Sequence, residues 1–140
     1  MKDFEEYFKE GAVKKQRIDT PRAKSLLEAA EKRKEVMKKY IPLNEETTVQ
    51  IIEECYDIIR ELIESKLSKE GYKTYSHETT IAYLKKANIC SESEIRFIDE
   101  LRKIRHGTKY YGKNVEIHYA QTVLSFLNEI YEKLKEFAMK

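Results

Sequence analysis

Apolar residues recur along most of this chain at spacings of three and four, the pattern of helices that bury one face. The last segment is the cleanest case, with apolar residues at spacings of 3, 4, 3, 4 and 3: Ala120, Val123, Leu127, Ile130, Leu134 and Phe137. No segment alternates polar and apolar residues with the period of two that marks a half-buried strand. The sequence therefore predicts an all-α fold without strands.

The first long helix is predicted to begin at Thr20-Pro21, with the threonine hydroxyl as N-cap and proline at the first helical position. It ends before Pro42. Arg33 interrupts its apolar line and is interpreted as a residue at the margin of the core, with its head in water and no functional role.

The second long helix is capped by Asn44 and stopped by Gly71. Two adjacent apolar stripes give it a wide apolar face, so it is predicted to be the most buried helix. A short helix follows, with Ser76 as a candidate N-cap and an end near Asn88.

The third long helix opens with a capping box, Ser91-x-x-Glu94. Gly112 is its predicted end, and Gly107 is an alternative, earlier end. The final helix is the periodic segment described above.

Short connections between four long helices predict antiparallel neighbours, and hence an up-and-down four-helix bundle with short additional helices. We expect this bundle over residues 20–140. Residues 1–19 are predicted to be an N-terminal helical appendage, a short amphipathic helix followed by a basic connector that contains Lys14, Lys15 and Arg17. The appendage either packs on the bundle or contacts another subunit.

The composition is that of one globular domain. Of the 140 residues, 41% are hydrophobic and 37% charged, which excludes a disordered chain. Lys and Glu abound while Trp is absent, a bias seen in hyperthermophile proteins. Cys55 and Cys90 have no partner at metal-ligand spacing and are interpreted as buried free thiols. With no apolar run of ~18 residues and no signal peptide, we expect a cytoplasmic protein with no membrane partner.

The candidate site is a basic window near the end of the third long helix. From Leu101 to Val115 there are five basic side chains and no acidic one: Arg102, Lys103, Arg105, Lys109 and Lys113. The net charge of +2 does not by itself predict nucleic-acid binding, so such binding needs this local patch. On a helix, Arg102, Arg105 and Lys109 fall within roughly 60° of one another.

Tyr110 and Tyr111 lie beside these cations. Arginine makes bidentate contacts to phosphate, and tyrosine offers a stacking face to a base. The window is therefore predicted to bind a nucleotide or RNA through Arg102, Arg105, Lys109, Tyr110 and Tyr111. The alternative is a solvated helix face whose charges pair with the Glu-rich helices opposite. The chain has no Gly-rich phosphate loop and no dinucleotide fingerprint, and no cofactor or metal site is predicted.

The three histidines are interpreted separately. His106 lies a further ~40° around the helix from the cations, toward solvent, and is a candidate acid–base together with Arg105. A break of the helix at Gly107 would turn His106 inward. His77 is interpreted as a packing and capping residue, and His118 as a surface residue.

Two runs of the sequence are distinctive: G-Y-K-T-Y-S-H-E-T-T-I-A-Y-L (Gly71–Leu84) and D-E-L-R-K-I-R-H-G-T-K-Y-Y-G (Asp99–Gly112). They resemble prokaryotic HEPN domains (higher eukaryotes and prokaryotes nucleotide-binding). Ala23–Arg33 and Tyr56–Ser65 look like the first two bundle helices of that family. The resemblance begins at about Ala23 and covers the rest of the chain.

The resemblance implies an α-helical up-and-down bundle that is commonly a homodimer. Many members are metal-independent ribonucleases, often toxins or defence effectors, and others are partners of a separately encoded minimal nucleotidyltransferase. Their catalytic signature is an arginine, a polar residue directly after it, and a histidine shortly beyond. Arg105 and His106 match the first two positions, but Tyr110 stands where the histidine belongs. If Arg102 is taken as the motif arginine, His106 comes one residue too early.

Three hypotheses follow. The first is a nucleotide- or RNA-binding module, either free-standing or paired with a minimal nucleotidyltransferase in a toxin–antitoxin-type system. The second is an active metal-independent endoribonuclease that uses His106 with Arg105 or Arg102. The third is a structural protein whose basic face docks an acidic partner. Whether the chain is an enzyme stays open.

Overall fold

The computed structural model describes residues 2–112 and 114–140 and shows an all-α helical bundle with one small β-ribbon. The elements in chain order are α1 (Phe4–Lys9), β1 (Val13–Lys15), α2 (Thr20–Tyr40), α3 (Thr48–Glu70), β2 (Tyr72–Thr74), α4 (His77–Ala87), α5 (Glu92–Tyr111) and α6 (Ile117–Met139). The long helices α2, α3, α5 and α6 are the four that the sequence predicts. In the described part of the chain, no helix has the length and apolar character needed to cross a membrane.

Helix α3 lies at the centre and contacts the other three long helices. Late in α3, Ser65 Oγ donates a hydrogen bond to the Ala23 carbonyl at the start of α2, over 2.6 Å. At the opposite end, Cys55 Sγ lies 3.8 Å from Met37 Sδ, so α2 and α3 are antiparallel. The prediction that α3 is the most buried helix is confirmed, because 13 of its 23 residues are buried.

The direction of α6 completes the bundle. Lys66, near the end of α3, donates to the Lys140 carbonyl just beyond α6 over 3.0 Å, so these two helices are parallel. Lys133, late in α6, lies 2.7 Å from Glu94 in the first turn of α5, so these two are antiparallel. Helices α2 and α5 therefore point one way, and α3 and α6 the other. The predicted up-and-down four-helix bundle is confirmed.

Two predicted N-caps are wrong. Asp19, not Thr20, caps α2, because its Oδ1 accepts a hydrogen bond from the Arg22 N–H at 2.9 Å. Asn44 lies in the turn before α3, where its Oδ1 accepts from two backbone N–H groups at 2.8 and 3.0 Å. In both places several short polar residues are adjacent, and only the backbone torsions decide which one caps the helix.

The other predicted ends are confirmed: Ser76 and the Ser91–Glu94 capping box at N-termini, and Gly71, Asn88 and Gly112 at C-termini. All three C-terminal residues have positive φ, at 80°, 57° and 62° respectively. These local signals were sufficient because a cap is decided within a few residues of the helix end.

The prediction that the chain has no strand is wrong. Strands β1 and β2 form an antiparallel pair, called here the β-ribbon, with Val13 opposite Thr74, Lys14 opposite Lys73 and Lys15 opposite Tyr72. Each strand has only three residues, too few to show a period of two. The first of them is the segment that the sequence suggested to be a basic connector.

Helix α1 packs against α4 and the β-ribbon. The buried Phe4 ring meets Tyr72 and Tyr83 edge-on, with centroids 5.4 and 5.3 Å away. The Tyr7 hydroxyl donates to Glu78 Oε2 over 3.1 Å. Of the two roles predicted for residues 1–19, packing on the bundle is the one that these contacts show.

Candidate functional site

Helix α5 carries the basic window without a break. It continues through Gly107, which is buried in its interior, and ends at Gly112. The alternative end at Gly107 is therefore wrong, and no break turns His106 inward. Lys113, the last of the five basic residues predicted for the window, lies outside the described residues.

Arg105 is turned toward α3 and is only 7% exposed. Its Nη2 donates to Asp57 Oδ1 over 3.2 Å, and the guanidinium carbon lies 5.6 Å from the centroid of the Tyr56 ring. The Arg105 Nε is buried and has no hydrogen-bond partner among the described residues. Because an unsatisfied buried donor costs about 1–3 kcal/mol, a ligand oxygen that reached this nitrogen would be bound favourably.

Carboxylates hold both arginines of the window. Arg102 Nε donates to Asp99 Oδ1 over 2.9 Å within α5, and its Nη1 lies 3.6 Å from Glu78 Oε1 on α4. Asp57 on α3 holds Arg105. One part of the predicted alternative is thus confirmed, because carboxylates on facing helices pair with both arginines. The other part is wrong, because these two arginines do not lie on a solvated face.

A cleft of about 250 Å³ opens between the N-terminus of α4 and the last turns of α5. It is lined by Ser76, His77, Glu78, Arg102, Arg105, His106 and Tyr110. We call it the α4–α5 cleft. Of the predicted site residues, Arg102, Arg105, His106 and Tyr110 share this cleft. Lys109 and Tyr111 are exposed beside it and do not line it.

His77 is the cleft residue that sequence reasoning missed. Its Nδ1 lies 3.0 Å from the Tyr56 hydroxyl, and its ring stacks on that of Tyr56 at 5.6 Å. Burial, with the positive charges of Arg60 and Arg105, lowers the pKa of His77, so its neutral form is favoured. The sequence indicated only that His77 lies on the inner side of α4. It did not indicate which helices α4 packs against, and so it could not predict that His77 lines this cleft.

The hydrogen bond between Tyr56 and His77 can run in either direction, and its direction depends on the His77 tautomer. Burial raises the pKa of Tyr56 far above its ordinary value, so its hydroxyl keeps its proton at neutral pH. When this hydroxyl donates to Nδ1 of a neutral His77, the ring proton resides on Nε2. The capping role predicted for His77 belongs to Ser76, whose hydroxyl accepts from the Thr79 N–H at 3.2 Å.

An exposed group of rings forms the rim of the cleft. The His106 ring lies 4.8 Å from that of Tyr110 and 5.6 Å from that of Tyr111. The two tyrosines are 61% and 70% exposed. Lys109 Nζ lies 5.9 Å from the Tyr110 ring centroid. These rings offer flat faces next to the buried arginine.

Larger clefts lie elsewhere. One of about 610 Å³ is lined by the end of α4 and the first turns of α5, one of about 400 Å³ by the start of α3 and the start of α6, and one of about 310 Å³ by the β-ribbon, α2 and α3. The 400 Å³ cleft is lined by His118 but by no arginine, and none of these clefts is lined by a buried donor without a partner, within the described residues. Chemistry, not volume, therefore singles out the α4–α5 cleft.

The remaining candidate residues are unremarkable chemically. His118 is exposed at the start of α6, as predicted. Both cysteines are free, Cys55 buried and Cys90 half-buried. Burial raises the pKa of Cys90 to about 11 and that of Cys55 to about 12, which disfavours the reactive thiolate. Within the described residues, no group of three or more His, Cys, Asp or Glu side chains is arranged to hold a metal ion.

Comparison with known proteins found no match to this chain among family models, curated proteins or solved structures. The cleft itself is therefore the feature that indicates a function.

Proposed function

We propose that this chain binds a phosphate group of a nucleotide or of RNA in the α4–α5 cleft. The observation that carries the proposal is the buried Arg105, whose Nε has no partner among the described residues while its side chain lines the cleft. A shift of the Arg105 side chain toward the cleft would expose this donor to a phosphate oxygen, which would add negative charge beside Arg102 and Arg105. Such charge-assisted hydrogen bonds are about twice as strong as neutral ones.

The rim suits the rest of a nucleotide. Tyr110 and Tyr111 are exposed next to His106, and stacking of a base on such rings does not require a particular base. Lys109, exposed beside them, is placed to meet a neighbouring phosphate. A phosphate in the cleft and a base on the rim together describe a nucleotide or a single-stranded RNA.

At the level of family, we propose a cytoplasmic HEPN-like binding module that forms a homodimer and works with a minimal nucleotidyltransferase encoded separately. The all-α bundle supports this proposal, and so does the origin of the cleft walls. One wall comes from Gly71–Leu84 and the other from Asp99–Gly112, the two runs in which the sequence resembles HEPN domains.

Binding is tested with a 5′-phosphorylated single-stranded RNA and with a nucleoside monophosphate, by anisotropy or calorimetry at low and moderate salt. We expect Arg105→Ala to weaken binding at least about tenfold, because a hydrogen bond to a charged group contributes about 1.5–3 kcal/mol. Arg96→Ala is the matched control, since Arg96 is an exposed arginine of α5 outside this cleft.

Folding of these variants is checked by circular dichroism, and Tyr110→Ala provides a second variant at an exposed position. No binding by the wild-type protein at low salt would refute the proposal. Equal weakening by Arg105→Ala and Arg96→Ala would also count against the cleft.

A second candidate function is metal-independent RNA cleavage, favoured by the presence of two histidines and two arginines in one cleft. His77, favoured in its neutral form, is suited to accept the 2′-hydroxyl proton at Nε2 in the tautomer whose Nδ1–H donates to the Tyr56 hydroxyl. The 2′ oxygen would attack phosphorus, the bond to the 5′ oxygen would break, and His106 would protonate that leaving oxygen. The products would be a 2′,3′-cyclic phosphate and a 5′-hydroxyl, with Arg105 stabilising the charge on phosphorus.

Cleavage is assayed with labelled RNA in the presence of EDTA. We expect loss of at least about a hundredfold in rate for His77→Ala and for His106→Ala, the usual contribution of general acid–base catalysis. His118→Ala is the control, because His118 is exposed at the start of α6 and does not line this cleft. Binding without cleavage by the wild-type protein would leave the binding module as the function.

A further inference from the structure

The β-ribbon presents a second basic surface that contains no acidic residue. The segments Gly11–Ile18 and Gly71–His77 contain no Asp or Glu, and their four Lys and Arg residues are all exposed: Lys14, Lys15, Arg17 and Lys73. Within the described residues, none of these cations forms an ion pair with a carboxylate. In contrast, the two arginines of the cleft form ion pairs with carboxylates.

The register places two lysines side by side. Lys14 is directly opposite Lys73 in the antiparallel pair, so both side chains project from the same face of the ribbon. Like charges directly opposite each other are unfavourable in a sheet. A polyanion bound there would relieve the repulsion.

An exposed aromatic ring lies close to both of these lysines. Tyr75 follows Lys73 at i+2 and is 56% exposed. The Nζ atoms of Lys14 and Lys73 lie 5.7 and 5.4 Å from the centroid of its ring. The Tyr75 N–H donates to the Ala12 carbonyl over 2.9 Å, which ties the residue to the ribbon. A ring flanked by two cations is the arrangement that takes a base together with its flanking phosphates.

The β-ribbon and the cleft are adjacent along the chain. Tyr75 directly precedes Ser76 and His77, which line the α4–α5 cleft. Successive residues of extended chain advance by about 3.3 Å, so the Tyr75 backbone is next to the cleft wall. A strand whose phosphate enters the cleft is therefore long enough, with a few more nucleotides, to reach the ribbon.

We propose that the β-ribbon is a second contact for single-stranded RNA, in which a base stacks on Tyr75 and the adjacent phosphates bind Lys14 and Lys73. This proposal rests on the proposed function, since the strand is the one that the cleft holds. The ligand is a single strand rather than a duplex, because stacking on Tyr75 needs an unpaired base. An acidic protein segment would use the lysines but would leave the ring without a role.

The test measures affinity for a single-stranded RNA of about twelve nucleotides, within the usual range of single-strand site sizes, over a series of salt concentrations. We expect Tyr75→Ala to weaken binding about tenfold and Tyr75→Phe to bind like the wild type, because the phenyl ring keeps the stacking face. The double variant Lys14→Ala/Lys73→Ala should lower the slope of log K against log salt by about 1.4, the value for two single-strand phosphate contacts.

Lys24→Ala/Lys32→Ala is the matched control, because it removes the same charge from exposed positions of α2. If both double variants change the slope equally, or if Tyr75→Ala binds within about twofold of the wild type, the ribbon contact is overturned while the cleft stands. If ribbon variants lose binding and Arg105→Ala does not, the ribbon stands and the cleft fails. If the wild-type protein does not bind RNA at low salt, both proposals fail.

Discussion

Arg33 illustrates, at the scale of one residue, what an apolar repeat does not show. The position looks like a solvated interruption of α2. In the structure its Nε donates to Glu61 Oε1 over 2.7 Å, and its Nη1 donates to Glu54 Oε2 over 3.0 Å. Glu61 is 6% exposed. Arg33 is thus the ion-pair partner of a buried carboxylate, a structural role that the sequence interpretation denied it.

We expect Arg33→Ala to lower the free energy of unfolding by about 1–3 kcal/mol, because it leaves the buried Glu61 carboxylate without its partner. The measurement is urea denaturation followed by circular dichroism. Lys32→Ala, at an exposed position of the same helix, should change stability by less than about 0.5 kcal/mol. Similar losses for the two variants would contradict this role of Arg33.

The titration of His77 is a second property at the residue scale. Burial, followed by the charges of Arg60 and Arg105, lowers its pKa below the usual 6.5, while Asp57 opposes this shift and Arg102 adds to it. The unfolded chain therefore takes up this proton more readily than the folded chain. Stability from this residue is complete above about pH 6.5 and falls as the pH is lowered through that value toward the folded pKa.

We therefore expect the urea midpoint of the wild-type protein to fall more between about pH 7.5 and pH 5.5 than that of His77→Gln, because glutamine cannot take up the proton. Carboxylates that begin to titrate in this range affect both proteins alike, so the difference reports His77. Parallel pH profiles for the two proteins would show that His77 has an unperturbed pKa.

At the scale of elements, Gly71 has two functions in one position. It ends α3 in the left-handed conformation, with φ at +80°. It also lets the two strands of the β-ribbon approach, since its carbonyl accepts from the Gln16 N–H at 2.9 Å. A Cβ on Gly71 would lie 2.8 Å from the Gln16 carbonyl oxygen. The sequence predicts the first function, and the second requires the fold.

We expect Gly71→Ala to lower the free energy of unfolding by about 2–4 kcal/mol, the sum of a left-handed non-glycine residue and a backbone clash. Gly11→Ala is the matched control, with the same φ of +80° but, among the described residues other than its chain neighbours, no atom within 4 Å of the added Cβ. It should cost only about 1–2 kcal/mol. Equal losses in thermal or urea unfolding would mean that the approach of Gln16 does not matter.

For the whole molecule, the proposed homodimer is the property to measure first. Light scattering should give twice the chain mass of 16.7 kDa. In the HEPN-like proposal, the dimer brings two copies of the α4–α5 cleft together. A mass equal to one chain would remove the dimer and leave each α4–α5 cleft as a site of a single chain.

Much of the fold was predictable because the signals for it are local. The 3-4 repeat of apolar residues identifies the helices. Glycines with positive φ and the Ser91–Glu94 capping box identify helix ends, and each of these signals lies within a few residues of the end that it determines. Short connections then restrict four such helices to an up-and-down bundle. The β-ribbon was not predicted, because its paired residues, such as Lys14 and Lys73, are distant in sequence and its strands are too short to show a period of two.

The site was predictable only in part. A helical wheel correctly grouped Arg102 with Arg105, since both lie on one helix. Which of the cations is buried, and what faces it, depends on α3 and α4. Asp57 comes from α3 and His77 from α4, and the residue spacing on α5 predicts neither of these neighbours.

By itself, then, the sequence determined the helices, most of their ends, the all-α bundle and the basic window on α5. Tertiary structure alone decided that Arg105 is buried with an Nε that has no partner among the described residues, that His77 shares its cleft, and that Lys14 and Lys73 are exposed close to Tyr75. The physical reason is the separation along the chain of the residues that interact. Helix formation depends on neighbours within one or two turns, whereas a site depends on the packing of elements that are far apart along the chain.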